Sequence, residues 1–267
     1  MKNKLRQFLR LKYFQPFWEQ LFNWSKLFMN YWGGAHIQNS GEIFILDTIL
    51  KSVKNDNVNI FDVGVNNGEY IDYFIKLNNN NTREIKLYGF EPNANLFSKV
   101  NNKYLQYKNI VLSELGLGEK TCNTTLYIPT NNDMLSSGFK SHLLNQATTI
   151  IEKNIQIETV DNFCKIKNIR EILLLKVDVE GYELNVLKGA SSFIEDDRIS
   201  YIQFEFGESM VDARVFFKDF WDILNEKYYL YRILPNALRP IPFYSEGLEV
   251  FHCANYLAVH KLIKSAF

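Results

Sequence analysis

The sequence predicts an α/β fold built on a mostly parallel sheet with helices on both faces, and three observations predict it. Short apolar runs alternate with segments of helical period, and parallel strands need such crossovers. The stretch Asn59-Ile-Phe-Asp-Val-Gly-Val-Asn-Asn-Gly-Glu-Tyr70 reads as strand, glycine turn and helix. Four apolar runs end on or beside an acid, at Asp62, Glu91, Asp178 and Glu205. In an open parallel sheet such ends converge on one edge, where ligands bind. With 267 residues and 46% hydrophobic content, the chain can bury one full core. That core is expected over residues 41–267, preceded by a helical segment at 1–40.

Residues 1–34 are unlike the rest. Lys2, Lys4, Arg6, Arg10 and Lys12 are interleaved with Leu5, Phe8, Leu9 and Leu11, and Tyr13, Phe14, Phe17, Trp18, Phe22, Trp24 and Phe28 follow. Pro16 suits the first turn of a second helix, along which Phe17, Leu21, Trp24, Leu27 and Phe28 recur at near-helical spacing. The pattern is compatible with an amphipathic element, a peripheral membrane contact on an anionic surface. Glu19 and the short helices weigh against it, so the expectation is a helical cap packed over the core, or part of a homodimer contact.

After the break at Gly33-Gly34, Ile43, Leu46, Ile49 and Leu50 predict a helix that feeds the first strand. In the next helix Tyr70, Ile71, Phe74 and Leu77 fall on or near one face. The second strand runs to Gly89-Phe-Glu91, and Pro92 starts the helix carrying Leu96, Phe97 and Val100. A third strand at 109–113 is closed by Glu114-Leu-Gly116-Leu-Gly118. Residues 124–128 form an extended excursion, and the polar, aperiodic residues 131–149 suit a loop over a site. Residues 155–160 alternate as an edge strand, with Asp161 capping a short helix. The most apolar strand, 171–178, belongs near the sheet centre. Leu184, Leu187 and Ala190 predict one helix to about Ile194, and further strands lie at 200–206, 228–234 and 248–260, the last two as a closing antiparallel pair.

Composition excludes several functions. Lys and Arg balance Asp and Glu at 30 each, so there is no basic field to hold nucleic acid. Cys122, Cys164 and Cys253 are far apart, which gives neither a disulfide framework nor a zinc site and suits a reducing compartment. No run approaches the roughly 18 apolar residues that span a bilayer, and no cleavage site follows the basic start, so a cytoplasmic location is expected.

Two cofactor classes compete for the polar rim. A dinucleotide fold wants G-x-G-x-x-G with an acid about 20 residues on. Here the turn is Gly64-Val-Asn-Asn-Gly68, so the glycine that lets a pyrophosphate approach is replaced by Asn66, and the acid is Glu91. S-adenosylmethionine carries no phosphate, and Glu91 can accept both ribose hydroxyls. The pattern leans to S-adenosylmethionine.

Phe61-Asp-Val-Gly-Val-Asn-Asn-Gly68, Gly89-Phe-Glu-Pro92, Thr159-Val-Asp161, Leu174-Leu-Lys-Val-Asp-Val-Glu-Gly-Tyr-Glu183, Val186-Leu-Lys-Gly-Ala190 and Phe204-Glu205 together resemble the FkbM-type methyltransferases. That family comprises class I S-adenosylmethionine-dependent enzymes, mostly O-methylating sugars or natural products. The resemblance implies a Rossmann-like, seven-stranded sheet of order 3-2-1-4-5-7-6 with the last strand antiparallel. It implies that Gly64, Asn66 and Gly68 bound the methionine and ribose, that Asp62 orients the ammonium group, and that Glu91 holds the ribose. Ser113 and Glu114 would flank the adenine, and Asp178 would sit by the methionine carboxylate and the methyl group. Val65 stands where the family commonly has alanine.

Methyl transfer to a hydroxyl needs alignment and a proton acceptor. Asp178 is the first candidate base, with His142 and Glu205 behind it. Glu180 reads equally as the acid at the start of the next helix and as a catalytic group. Asp178, Glu180 and Glu205 are hard oxygen ligands for Mg²⁺, yet with Lys176 beside them they read rather as a hydrogen-bonded rim, and no metal is expected. His252, between Phe251 and Cys253, reads as a packed residue of the last strand. The reading is O-methylation of a saccharide, with a surface-polysaccharide precursor as the expected acceptor. The alternatives are a NAD-dependent oxidoreductase and a non-catalytic glycan-binding or scaffold protein.

Overall fold

A computed structural model describes residues 2–31, 37–54, 57–79, 83–130, 136–139 and 149–263. Helices α1 (Lys2–Phe8) and α2 (Gln15–Phe28) precede a short α3 (Ile37–Ser40) and α4 (Glu42–Ser52). The chain then alternates: β1 (Val58–Val63), α5 (Glu69–Asn78), β2 (Ile85–Phe90), α6 (Ala94–Tyr104), β3 (Ile110–Ser113). An inserted unit follows, made of β4 (Gly116–Leu117), β5 (Cys122–Pro129) and β6 (Ile150–Glu158). Alternation resumes with α7 (Val160–Lys167), β7 (Ile172–Val177), α8 (Glu183–Lys188), α9 (Ser191–Glu195) and β8 (Ile199–Phe206). The chain closes with α10 (Ser209–Ala213), α11 (Phe217–Leu224), β9 (Tyr228–Leu234), β10 (Ala237–Ile241) and β11 (Ala254–His260).

The main sheet has eight strands in the order β10-β9-β11-β8-β7-β1-β2-β3. β1 pairs in parallel with β2 and β7, and β7 with β8, while β11 is antiparallel to both β8 and β9. The count exceeds the expected seven because β10 folds back on β9 as an antiparallel edge strand. β7 sits at the centre, as its apolar run predicts. Strand alternation feeds two apolar layers: Ile60, Leu174 and Tyr201 face one, while Phe61, Leu175 and Ile202 face the other. Burial on both faces is why these strands are nearly all apolar.

Other expectations change on folding. Residues 155–158 belong to β6, which starts at Ile150 and is the middle strand of a separate three-stranded sheet, not an edge. The Asn162 amide donates to the Thr159 hydroxyl at 3.0 Å, so Thr159 caps α7. The Asp161 carboxylate instead accepts from the Ser192 and Phe193 amides at the start of α9. The helix expected to run to Ile194 breaks in two at Gly189, where a Cβ would lie 2.0 Å from the Gly118 carbonyl oxygen. β11 begins at Ala254, so His252 precedes the strand. α2 starts where Pro16 places it but buries no side chain, and the segment reaches the core through Tyr31, which follows it.

Candidate functional site

A cavity of about 480 Å³ opens at the carboxyl ends of β1, β2, β7 and β8, with β4, β5 and β6 contributing its opposite wall. It sits within the size range of ligand pockets, roughly 300–1,000 Å³. Val65, Phe90, Leu96, Leu117, Ile155 and Ile157 give it an apolar side. Its polar side is the strand-end rim.

The glycine turn is held by its backbone. Gly64 has φ +87°, and a Cβ there would lie 1.8 Å from the Asp178 carbonyl oxygen, so β1 and the segment after β7 touch through a missing side chain. The Gly64 and Val65 amides donate to the Phe90 carbonyl at 3.0 and 3.1 Å. Asn66 takes a left-handed φ of 55°, which asparagine tolerates better than most residues. Its amide donates to Glu91 Oε2 at 2.9 Å, while Glu91 Oε1 accepts the Asn93 amide at 2.8 Å. A nearly buried carboxylate thus ties the turn after β1 to the turn after β2. This geometry disfavours a pyrophosphate at the turn. The amide that would face a pyrophosphate is already taken by an anion, and a further negative charge there would be repelled.

Beneath the rim lies a buried charge cluster. Lys176 Nζ is 3.1 Å from Asp62 Oδ1 and 3.4 Å from Asp178 Oδ2, with the Tyr70 ring centroid 5.1 Å away. Burial pushes the Lys176 ammonium down, but Asp62, then Asp178 and Glu42, outweigh it and hold its pKa above the usual lysine range. Glu42, from α4, accepts from Gln203 Nε2 and Ser40 Oγ, both at 2.8 Å. Burial pushes the Glu42 carboxyl up to about 7, against the attraction of Lys176. Asp62 is not part of the cavity wall; Lys176 is, with Asp62 behind it.

The rim itself is acidic. Asp178, Glu180, Glu205 and Glu208 line the cavity beside Cys253. Glu180 does not open a helix: it holds φ 53° in the turn after β7, and α8 begins three residues later. Burial, and then the charges of Asp178, Glu183 and Glu208, push the Glu180 carboxyl up to about 8. Burial followed by Asp178 and Glu180 also raises Glu205 well above the ordinary carboxylate value, although the Cys253 thiol donates to its Oε2 at 2.9 Å. The residue that shapes this turn is Glu183, whose two oxygens accept the Val179 and Gly181 amides, each at 2.9 Å. A carboxylate in the first turn of a helix is a readable signal, and sequence reasoning gave it to Glu180 instead. Glu42, Glu208 and Cys253 carry no local signal, since each reaches the cavity from a different part of the chain.

The remaining predicted residues divide. Gly64, Asn66, Glu91, Asp178 and Glu205 meet at the cavity, and Gly68 caps α5 behind it. Ser113 and Glu114 do not line it, and Glu114 is exposed; the wall there is Gly116 and Leu117, immediately downstream. His142 lies outside the described residues. Among the described residues no three His, Cys, Asp or Glu side chains are arranged to hold a metal ion. His252 Nδ1 lies 3.3 Å from Glu208 Oε1, and its Nε2 lies 2.8 Å from Lys26 Nζ on α2.

No curated protein matches the chain. Among solved structures it is similar to the methyltransferase FkbM from Methylobacillus flagellatus KT, at 16% identity and a TM-score of 0.45 over 78% of this chain and 45% of that one. The chain thus spans under half the length of that protein. It is also similar to a precorrin-6y C5,15-methyltransferase from Geobacter metallireducens GS-15, at 9% identity and a TM-score of 0.39 over 81% and 87% of the two chains. A third is TrmK from M. capricolum in complex with S-adenosyl-homocysteine, at 14% identity and a TM-score of 0.37 over 82% and 68%. The methyltransferase FkbM domain model matches residues 62–233, a span that holds the glycine turn, Glu91 and the acidic rim through Glu208, and the chain belongs to that family.

Proposed function

We propose that the protein binds S-adenosylmethionine in this cavity and transfers its methyl group to a hydroxyl of a saccharide, within the cytoplasmic assembly of a surface polysaccharide. The observation that carries the reading is Glu91, a carboxylate bridging two turns by its backbone contacts at the cavity wall. A carboxylate at a cavity wall can accept ribose hydroxyls alongside backbone amides. The residues fit the cofactor in kind: an apolar slot of Val65, Phe90, Leu96 and Leu117 suits an adenine, and the acidic end suits a positively charged donor.

When bound, S-adenosylmethionine supplies a methyl group on a positively charged sulfur. The chain's own part is to orient the acceptor and remove its proton. In this reading Asp178, 3.4 Å from Lys176 at the rim, takes the hydroxyl proton. Glu205 and Glu180 hold their protons to higher pH than ordinary carboxyls, which lets them donate hydrogen bonds to sugar oxygens near neutrality. Hydrogen-bonding groups of both senses around one cavity end are what a polyhydroxylated acceptor requires.

Calorimetry with S-adenosylhomocysteine tests the cofactor half. Wild type binds, and Glu91→Ala weakens binding about 10- to 100-fold, the loss expected for hydrogen bonds to a charged group. Unchanged affinity in the variant would sink the reading. Mass spectrometry of glycans from cells with and without the protein tests the acceptor half, with one lost methyl group as the expected difference.

A further inference from the structure

Twelve of the twenty large apolar side chains exposed among the described residues fall between positions 5 and 29, so the exposed apolar surface is gathered on one segment. Tyr13 is 81% and Phe28 84% exposed, nearly as much as in an unfolded chain. The segment is nonetheless folded on itself. Trp18 Nε1 donates to the Leu9 carbonyl at 2.8 Å, Gln15 Nε2 donates to the Arg10 carbonyl at 2.9 Å, and the Phe8 and Phe14 rings meet edge to face at 5.1 Å.

α2 is oriented the wrong way round for a soluble helix. Phe17, Leu21, Trp24 and Phe28 recur three or four residues apart and are exposed, as are Trp18 and Phe22 beside them. The side chains of α2 least open to solvent are Ser25 and Lys26, and Lys26 meets His252 on the body of the protein. A surface helix ordinarily turns its apolar stripe inward and its charges outward. Here the polar edge is tethered and the aromatic face looks away, and an apolar face of this kind marks an interaction site.

Charge says what the site fits. Residues 1–31 carry Lys2, Lys4, Arg6, Arg10, Lys12 and Lys26 against a single acid, Glu19, in a chain whose formal net charge is zero. Bulky aromatics beside the exposed Arg6, Arg10 and Lys12 match the interfacial region of an anionic bilayer, with rings at the headgroup boundary and cations among the phosphates. Among the described residues no helix is long and apolar enough to cross a membrane, so the contact is peripheral.

We propose that the α1–α2 segment is a docking surface for an anionic lipid bilayer. Flotation of the full chain with vesicles of phosphatidylcholine, alone or mixed with phosphatidylglycerol, tests it. The protein floats with the mixed vesicles and not with phosphatidylcholine alone, and salt reverses the binding. Arg6→Gln and Arg10→Gln each lower partitioning about fivefold. The combined variant Phe17→Ser, Trp24→Ser, Phe28→Ser stays unbound with an unchanged Tm, because none of these side chains is buried. Absence of flotation with anionic vesicles overturns the proposal, as does equal binding to both vesicle types. So does a wild-type dimer in sedimentation that the triple variant abolishes while vesicles remain unbound, which would give the face to a second copy of the chain.

Discussion

Gly64 is the point where two strand ends meet, and its missing side chain is what lets them. With φ +87° and the Asp178 carbonyl oxygen 1.8 Å from where a Cβ would stand, alanine is excluded twice, by strain and by overlap. Positive-φ strain alone costs about 1–3 kcal/mol. Gly64→Ala is expected to lower unfolding free energy by at least that much and to weaken S-adenosylhomocysteine binding, since the turn and Asp178 must separate. Denaturant unfolding measures the first effect, and an unchanged midpoint would show that the turn is looser than described. The glycine was legible in the sequence as a turn residue; its contact with Asp178 was not, because 114 residues separate the two and only sheet pairing brings them together.

The turn between β7 and α8 is the element that aims the acidic rim. Glu180 and Gly181 both hold positive φ, at 53° and 102°, and Glu183 stabilises that path by accepting the Val179 and Gly181 amides. Glu183→Ala leaves two amides without their acceptor and is expected to cost about 1–3 kcal/mol, the range for leaving buried donors unsatisfied. Glu183→Gln keeps one acceptor oxygen and should recover part of the loss. Equal unfolding midpoints for the alanine and glutamine variants would refute the assigned role. The sequence alone points to this segment but to Glu180 as the acid at the helix start, where the structure has Glu183. A run of Asp-Val-Glu-Gly-Tyr-Glu offers two candidate carboxylates for one helix start, and only the backbone path decides which one turns back.

Across the whole molecule, buried carboxyls set the response to pH. Burial raises Glu42 and Glu183 to about 7 and Glu180 to about 8, from an ordinary value of 4.5. Between 4.5 and these values the folded state keeps protons that the unfolded chain has released. Stability from these groups is therefore full below pH 4.5 and declines as pH rises to 7 or 8. Glu42 gives the cleanest test, because glutamine keeps an acceptor oxygen for Gln203 Nε2 and can donate its amide to the Ser40 hydroxyl oxygen in place of accepting from it. Glu42→Gln should remove a decline on the order of 3 kcal/mol between pH 5 and 8. Urea unfolding at the two pH values checks this. Parallel losses in wild type and variant would mean that Glu42 does not hold its proton.

What the sequence determined by itself is local. Apolar period, glycine position and proline placement specified strand, turn and helix, and acids beside strand ends marked the edge where the cavity lies. Tertiary structure decided what depends on chain segments far apart. Gln203 meets Glu42 across 161 residues, Lys26 meets His252 across 226, and Glu208 meets His252 across 44. It also decided that α2 stays unburied and that β10 extends the sheet. The physical reason is that periodicity encodes which face of an element is apolar, whereas its partner is chosen by pairing register and packing, which no single stretch of sequence contains.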